Sequence, residues 1–205
     1  MNRREKLLSL LKTKDDAGNK KRSILLMIFT CVVSMQLTAC SIGEGKAVVT
    51  CDGYEVKLGK ATVAELKEAG FNNRYSHIDE KMIDSMSWET FYAMKGDNSY
   101  GDMLAGNKKS SQVEFDKGVI FEIILTYDDP DYSMGEVLVN GVNFEGYTRE
   151  KVKEAMGDAK ITLDSDTYLS FELSGCNYTF SFENGSEILT TIRVNDGTEK
   201  EYNFN

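Results

Sequence analysis

The sequence predicts an α+β protein of two tandem small units, each a helix packed on an antiparallel β-sheet meander. Three observations lead there. Two helical segments of matching pattern open on threonine, Thr62 to Ala69 and Thr148 to Ala155, and both close on Lys-Glu-Ala. Ahead of each stands a tight-turn dipeptide between apolar stretches, Asp52-Gly53 and Asn140-Gly141. The last third of the chain alternates apolar and polar residues with a period of two, as strands with one wet face do.

The first unit is expected over residues 47–134 and the second over 135–205. In the first, Glu65 follows Thr62 at the spacing of a capping box, and Gly70 stands where a helix C-cap wants glycine. Val113 and Phe115, then Gly118, then the apolar run from Val119 to Tyr127 predict a hairpin with a central second arm. Residues 71–111 form an irregular insert. Within it Trp88 to Tyr92 suits a strand, and Ile78, Met82, Ile83 and Met86 fit one helical face. Gly96 to Gly106 and Asn107 to Ser111 read as exposed turns. Pro130, among Asp128, Asp129 and Asp131, marks the boundary between units.

The second unit carries the clearest pattern. Its helix ends at Gly157. Leu169, Phe171 and Leu173 share one face; after the Ser174-Gly175 turn so do Cys176, Tyr178, Phe180 and Phe182. Asn184-Gly185 predicts another hairpin turn. Ile188, Ile192 and Val194 are expected to face inward on the third strand, with Tyr202 and Phe204 on a last short one.

The N-terminal segment has a different character. Met1 to Arg22 holds eight basic residues against three acids, and Ser23 to Ala39 is an uncharged run of 17 residues. Basic residues stay on the cytoplasmic side while the following chain is exported. The run ends in Leu37-Thr38-Ala39-Cys40, which resembles the lipobox of bacterial lipoproteins. That resemblance implies a signal peptide over 1–39, cleavage before Cys40, a diacylglycerol thioether on Cys40 and a lipidated tether over 40–46. An uncleaved signal anchor is the competing reading. Two acyl chains anchor stably, at about 0.8 kcal/mol per buried CH₂. The implied location is the extracytoplasmic face of the cell membrane.

Without residues 1–39 the chain has 16 basic residues against 30 acidic ones, a net charge of −14. So acidic a body argues against nucleic acid as a partner. Of four cysteines, Cys31 leaves with the signal and Cys40 is lipidated. Export permits a disulfide between Cys51 and Cys176; two buried thiols are the alternative.

The segment Gly146-Tyr147-Thr148-Arg149-Glu150-Lys151-Val152-Lys153-Glu154-Ala155-Met156-Gly157 resembles a recurrent exported module. It is the helix-plus-sheet domain of the outer-membrane assembly lipoprotein BamE and the β-lactamase inhibitory proteins. Tandem copies behind a lipobox resemble uncharacterised lipoproteins of Gram-positive bacteria. Asp158 and Ala159 stand where such modules often carry proline. The resemblance implies a binding or assembly scaffold and no reaction.

Chemistry-bearing motifs are few. The one histidine, His77, lies in a polar loop, and no Gly-x-Ser-x-Gly, Cys-x-x-Cys or phosphate-loop pattern occurs. A metal or cofactor is therefore not expected. The pairs Asp97/Asp102 and Asp164/Asp166 and the cluster Asp128, Asp129 and Asp131 lack calcium-loop spacing and read as turns. Trp88, Phe91, Tyr92 and Tyr100 in the insert are the candidate interaction surface, because Trp and Tyr anchor interfaces. The expectation is a non-catalytic, lipid-anchored binding or scaffold protein of the cell envelope, with an envelope protein or polymer as partner. The alternative is a small envelope hydrolase using paired carboxylates.

Overall fold

A computed structural model describes residues 47–73, 82–129, 131–183 and 187–202. In chain order the elements are β1 (Val48–Cys51), β2 (Tyr54–Lys57), α1 (Val63–Glu68), β3 (Asn72–Asn73), β4 (Met82–Ile83), β5 (Ser87–Lys95), β6 (Asn98–Asn107), β7 (Val113–Glu114), β8 (Val119–Thr126), β9 (Ser133–Met134), β10 (Val137–Val139), α2 (Arg149–Met156), β11 (Lys160–Asp164), β12 (Tyr168–Leu173), β13 (Cys176–Phe182) and β14 (Leu189–Asn195).

The expected tandem α+β class is corrected to a mainly β fold. A large antiparallel sheet runs β11-β12-β13-β14-β8-β6-β5-β3, with β9 added in parallel beside the start of β6. A three-stranded sheet, β10-β1-β2, and the short pair β4-β7 complete the strands. Residues of both expected units meet in both larger sheets: β10 pairs with β1, and β14 pairs with β8. The physical reason lies in β8. Its run Val-Ile-Phe-Glu-Ile-Ile-Leu-Thr is mostly buried, so it needs a neighbour on each edge and cover on each face. The helices, of six and eight residues, are too short to cover such a sheet alone.

Cover comes from the small sheet and the helices together. Val49, Cys51 and Val56 of the small sheet, Val63 and Leu66 of α1, and Val152 of α2 join Met103, Ile123, Phe180 and Ile192 of the large sheet in one core. The local signals behave as expected there. Asp52-Gly53 and Asn140-Gly141 both take positive φ, 46° and 78°, 49° and 81°, which two-residue hairpin turns require. The Thr62 side chain accepts from Glu65 N, and Glu65 Oε2 accepts from Thr62 N at 2.8 Å, a complete capping box.

Several element readings are corrected. Residues 98–107 are a central strand, not turns. Gly101 and Gly106 sit inside it because other groups occupy the space of a side chain: an added Cβ would stand 2.4 Å from Ile124 O at Gly101 and 2.4 Å from the Tyr202 ring at Gly106. Val113–Glu114 pairs with Met82–Ile83 and not with β8. Met82 and Ile83 are therefore extended, and Met86 turns at φ 55°; Ile78 lies outside the described residues. On β14 a register shift opposite Ser181 and Phe182 flips the parity, so Leu189 is buried and Ile188 is 46% exposed. Tyr202 follows a 3₁₀ turn over Glu199–Glu201. Pro130, Asn184-Gly185 and Phe204 lie outside the described residues.

Candidate functional site

The two faces of the large sheet differ in what covers them. The inner face carries the core. On the outer face the register aligns Ser170, Thr179, Arg193, Ile124, Asp102 and Tyr92 in one row from β12 to β5. The adjoining row runs Glu172, Asn177, Asn195, Glu122 and Leu104. Glu122 is wholly buried and is held by Arg193, Nε to Oε1 at 2.8 Å. Arg193 also reaches Glu199 at 3.1 Å. Burial raises the Glu122 carboxyl above its usual range, against the opposing pull of Arg193.

Beyond Glu122 the outer face becomes apolar. Phe121 and Tyr202 stack at 4.5 Å with their planes 28° apart, and Leu104 and Trp88 pack beside them. Tyr202 is 3% exposed, and its buried hydroxyl lies beside the Thr198 side chain without a well-aligned hydrogen bond. Burial and the Asp196 carboxylate push its phenol pKa up. Lys108 Nζ lies 5.5 Å from the centre of the Tyr202 ring and 2.8 Å from Glu201. Beside this ring opens a cleft of about 180 Å³. Gly59, Gly106, Asn107, Val113, Val119 and the buried Asp196 line it, with Lys108, Lys109 and Lys117 around it. The β6–β7 connection supplies Lys108 and Lys109, and the 3₁₀ turn Phe115–Lys117 supplies Lys117. The lining is of mixed charge: Lys108 is paired with Glu201 and Lys117 with Glu114 at 3.0 Å, and the Asp196 carboxylate faces the same cleft.

Two other depressions differ in charge. One of about 10 Å³ lies among Tyr92, Asp102, Asp129 and Tyr132. Tyr92 donates to Asp129 at 2.9 Å, and Asp131 N donates to the other Asp129 oxygen at 2.9 Å. Burial and then Asp129 raise the Asp102 carboxyl. Asp102 and Asp129 are thus coupled carboxylates, but the volume between them suits a water and not a sugar. A further cleft of about 240 Å³ opens beside Tyr127 between Glu136 and Glu145.

The four sequence-predicted aromatics divide between the faces. Phe91 is 1% exposed and meets Phe115 edge-on at 5.4 Å. Tyr100 is 2% exposed and meets Phe71 edge-on at 5.0 Å; both belong to the core. Trp88 and Tyr92 are half-buried on the outer face, four residues apart on β5. A strand rise of roughly 3.3 Å per residue separates them by about 13 Å, so the four do not form one surface.

Cys51 and Cys176 are buried, unbridged thiols. Cys176 Sγ accepts from Ala47 N at 3.2 Å, at the opposite end of β1 from Cys51. That strand holds the two sites about 13 Å apart, well beyond disulfide reach. Burial pushes the Cys51 thiol up to about 12. Of the acidic pairs, Asp164 is engaged by Arg149 and Lys153 at 2.9 and 2.8 Å. Among the described residues no group of three or more His, Cys, Asp or Glu is placed to hold a metal ion. Leu37, Thr38, Ala39, Cys40 and His77 lie outside the described residues.

The lysines around the cleft and Tyr202 carried no motif. Glu122 did carry a signal: a single carboxylate inside an apolar run demands a cationic partner. Comparison with protein-family models, with curated proteins and with solved structures found no match.

Proposed function

We propose that this chain is a lipid-anchored binding protein displayed on the extracytoplasmic face of a bacterial membrane, non-catalytic, with the cleft beside Tyr202 as its binding site. The observation that carries this reading is the order of parts along the chain. A basic segment, an uncharged apolar run and Leu37-Thr38-Ala39-Cys40 precede a folded body whose first described residue is Ala47. Seven residues of extended chain reach at most about 25 Å, so a lipid on Cys40 keeps the body close to the bilayer. The likeness of the single Gly146 to Gly157 segment to an exported binding module supports a binding role by motif alone.

Metabolic labelling with a tagged fatty acid tests the anchor. Wild-type protein should incorporate the label, and Cys40→Ser protein made in the same cells should not. Absence of label from the wild-type protein would reject the lipid anchor.

A further inference from the structure

We propose that residues 197–202 form a strap that opens locally from the outer sheet face, withdrawing Tyr202 from an aromatic seat continuous with the cleft. The seat is shaped to a ring. Tyr202 stacks on Phe121 at 4.5 Å, and Leu104 and Trp88 pack beside them. Gly106, opposite Trp88 in the β5–β6 register, leaves the ring its room: the three atoms nearest an added Cβ all belong to Tyr202, at 2.4 Å. This patch forms a cluster of its own, apart from the main core. Tyr202 also lines the cleft, so its departure joins seat and cleft into one larger apolar surface. In the closed state the chain's own ring occupies that surface.

The hydrogen bonds locate the hinge. Asp196 N donates to Phe121 O on β8 at 2.9 Å, the last tie to the sheet. Gly197 then turns the chain at φ 75°. Beyond it the strap bonds to itself and to its hinge. Gly197 N and Thr198 N donate to the Asn195 and Asp196 side chains at 3.0 Å each, and Glu201 N and Tyr202 N donate to Thr198 O and Glu199 O. The strap can therefore leave the sheet with these bonds intact.

Little else holds it down. The 3₁₀ turn Glu199–Glu201 buries none of its residues. Its ion pairs, Glu199 with Arg193 and Glu201 with Lys108, join groups 35–56% exposed, and pairs so exposed to water add little. One ring carries most of the attraction. Its hydroxyl is buried beside Thr198 without a well-aligned hydrogen bond, which weakens the seat, and ordering the strap opposes closure as well. Segments with so few buried contacts open without global unfolding. β8 is the contrast, paired on one edge with β14 and on the other with β6.

This proposal rests on the reading of the cleft as the binding site, and it fails separately from the anchor. A chain that takes up the fatty-acid label while its strap stays shut keeps the anchor and loses the strap. An unlabelled chain whose strap opens does the reverse.

The experiment is native-state hydrogen exchange of the full chain, read together with the fluorescence of Trp88, the chain's one tryptophan. The Glu201 and Tyr202 amides should exchange at least about a hundredfold faster than those of β8, at a rate almost independent of low urea concentrations. Gly106→Ala, which denies the ring its seat, and Tyr202→Ala should each move Trp88 emission to the red and raise its quenching by acrylamide. Exchange of the β8 amides in both should stay within about tenfold of wild type. Strap amides protected as strongly as β8 overturn the proposal. So does unchanged Trp88 fluorescence in both variants, or loss of β8 protection in both, which would make Tyr202 part of the global core.

Discussion

Arg193 engages both carboxylate oxygens of the buried Glu122, Nε 2.8 Å from Oε1 and Nη2 2.9 Å from Oε2. The Nε contact is an ion pair without hydrogen-bond alignment. One partner is wholly buried and the other 44% exposed, so the pair is a charged plug in the middle of the outer sheet face.

Arg193→Met should therefore destabilise the fold. Removing one partner of a fully buried pair costs about 3–5 kcal/mol, and water replacing a half-exposed guanidinium lowers this to about 2–3 kcal/mol. Glu122→Gln in the same chain should restore most of the loss, because the uncompensated charge is then gone. Urea midpoints of the three variants at constant m-value check this.

The pH dependence has a definite sign. Burial raises both Asp102 and Glu122 above the ordinary carboxylate range, so the folded state binds protons more readily than the unfolded one. Stability from these two groups is fully present below their unfolded pKa values and is lost as pH rises through the folded ones. Asp164 works oppositely. Lys153 first, and then Arg149, hold it below its usual value, so its contribution is lost as pH falls through that lowered value. Asp102→Asn should thus be more stable than wild type at pH 7 and should gain less on acidification toward pH 5. Thermal unfolding midpoints across that range measure it.

Gly101 sits in β6 at φ 91°, and an added Cβ would lie 2.4 Å from Ile124 O and 3.0 Å from Leu125 Cδ2. Gly101→Ala should cost more than about 2 kcal/mol, from backbone strain and collision together. Gly141, at φ 81° with open space around it, should cost only about 1 kcal/mol as alanine. Denaturant titration of the two variants separates collision from strain.

These glycines also show what the sequence could and could not convey. Turn chemistry is local, so Asp52-Gly53, Asn140-Gly141 and Ser174-Gly175 were legible, as were the Thr62–Glu65 capping box and the β12–β13 alternation. Pairing across the chain is not local. Gly101 and Gly106 looked like turn residues because their reasons, Ile124 and Tyr202, lie 23 and 96 residues away. The partner of β8 was equally hidden: β14 pairs with it from 65 to 73 residues further along the chain, merging the expected units into one sheet. The sequence set Trp88, Phe91, Tyr92 and Tyr100 together as one surface, because alternation alone does not say which face of a strand is covered; Phe91 and Tyr100 are core, and Trp88 and Tyr92 are half-buried on the outer face. Tyr202 was hidden because what it stacks on, Phe121, lies 81 residues away.

The two thiols yield a further test. Cys51 is buried with its pKa pushed up to about 12, and Cys176 is buried beneath Ala47. Neither should react with a thiol reagent in the native protein, and both should react in denaturant without prior reduction. A requirement for reductant would reveal a bridge between them.

Intact mass of the membrane-extracted protein tests the central claim most directly. The account predicts a polypeptide beginning at Cys40 and carrying a diacylglyceryl group, with Cys40→Ser retaining residues 1–39 and no lipid. A wild-type chain that keeps residues 1–39 and bears no acyl adduct would contradict it.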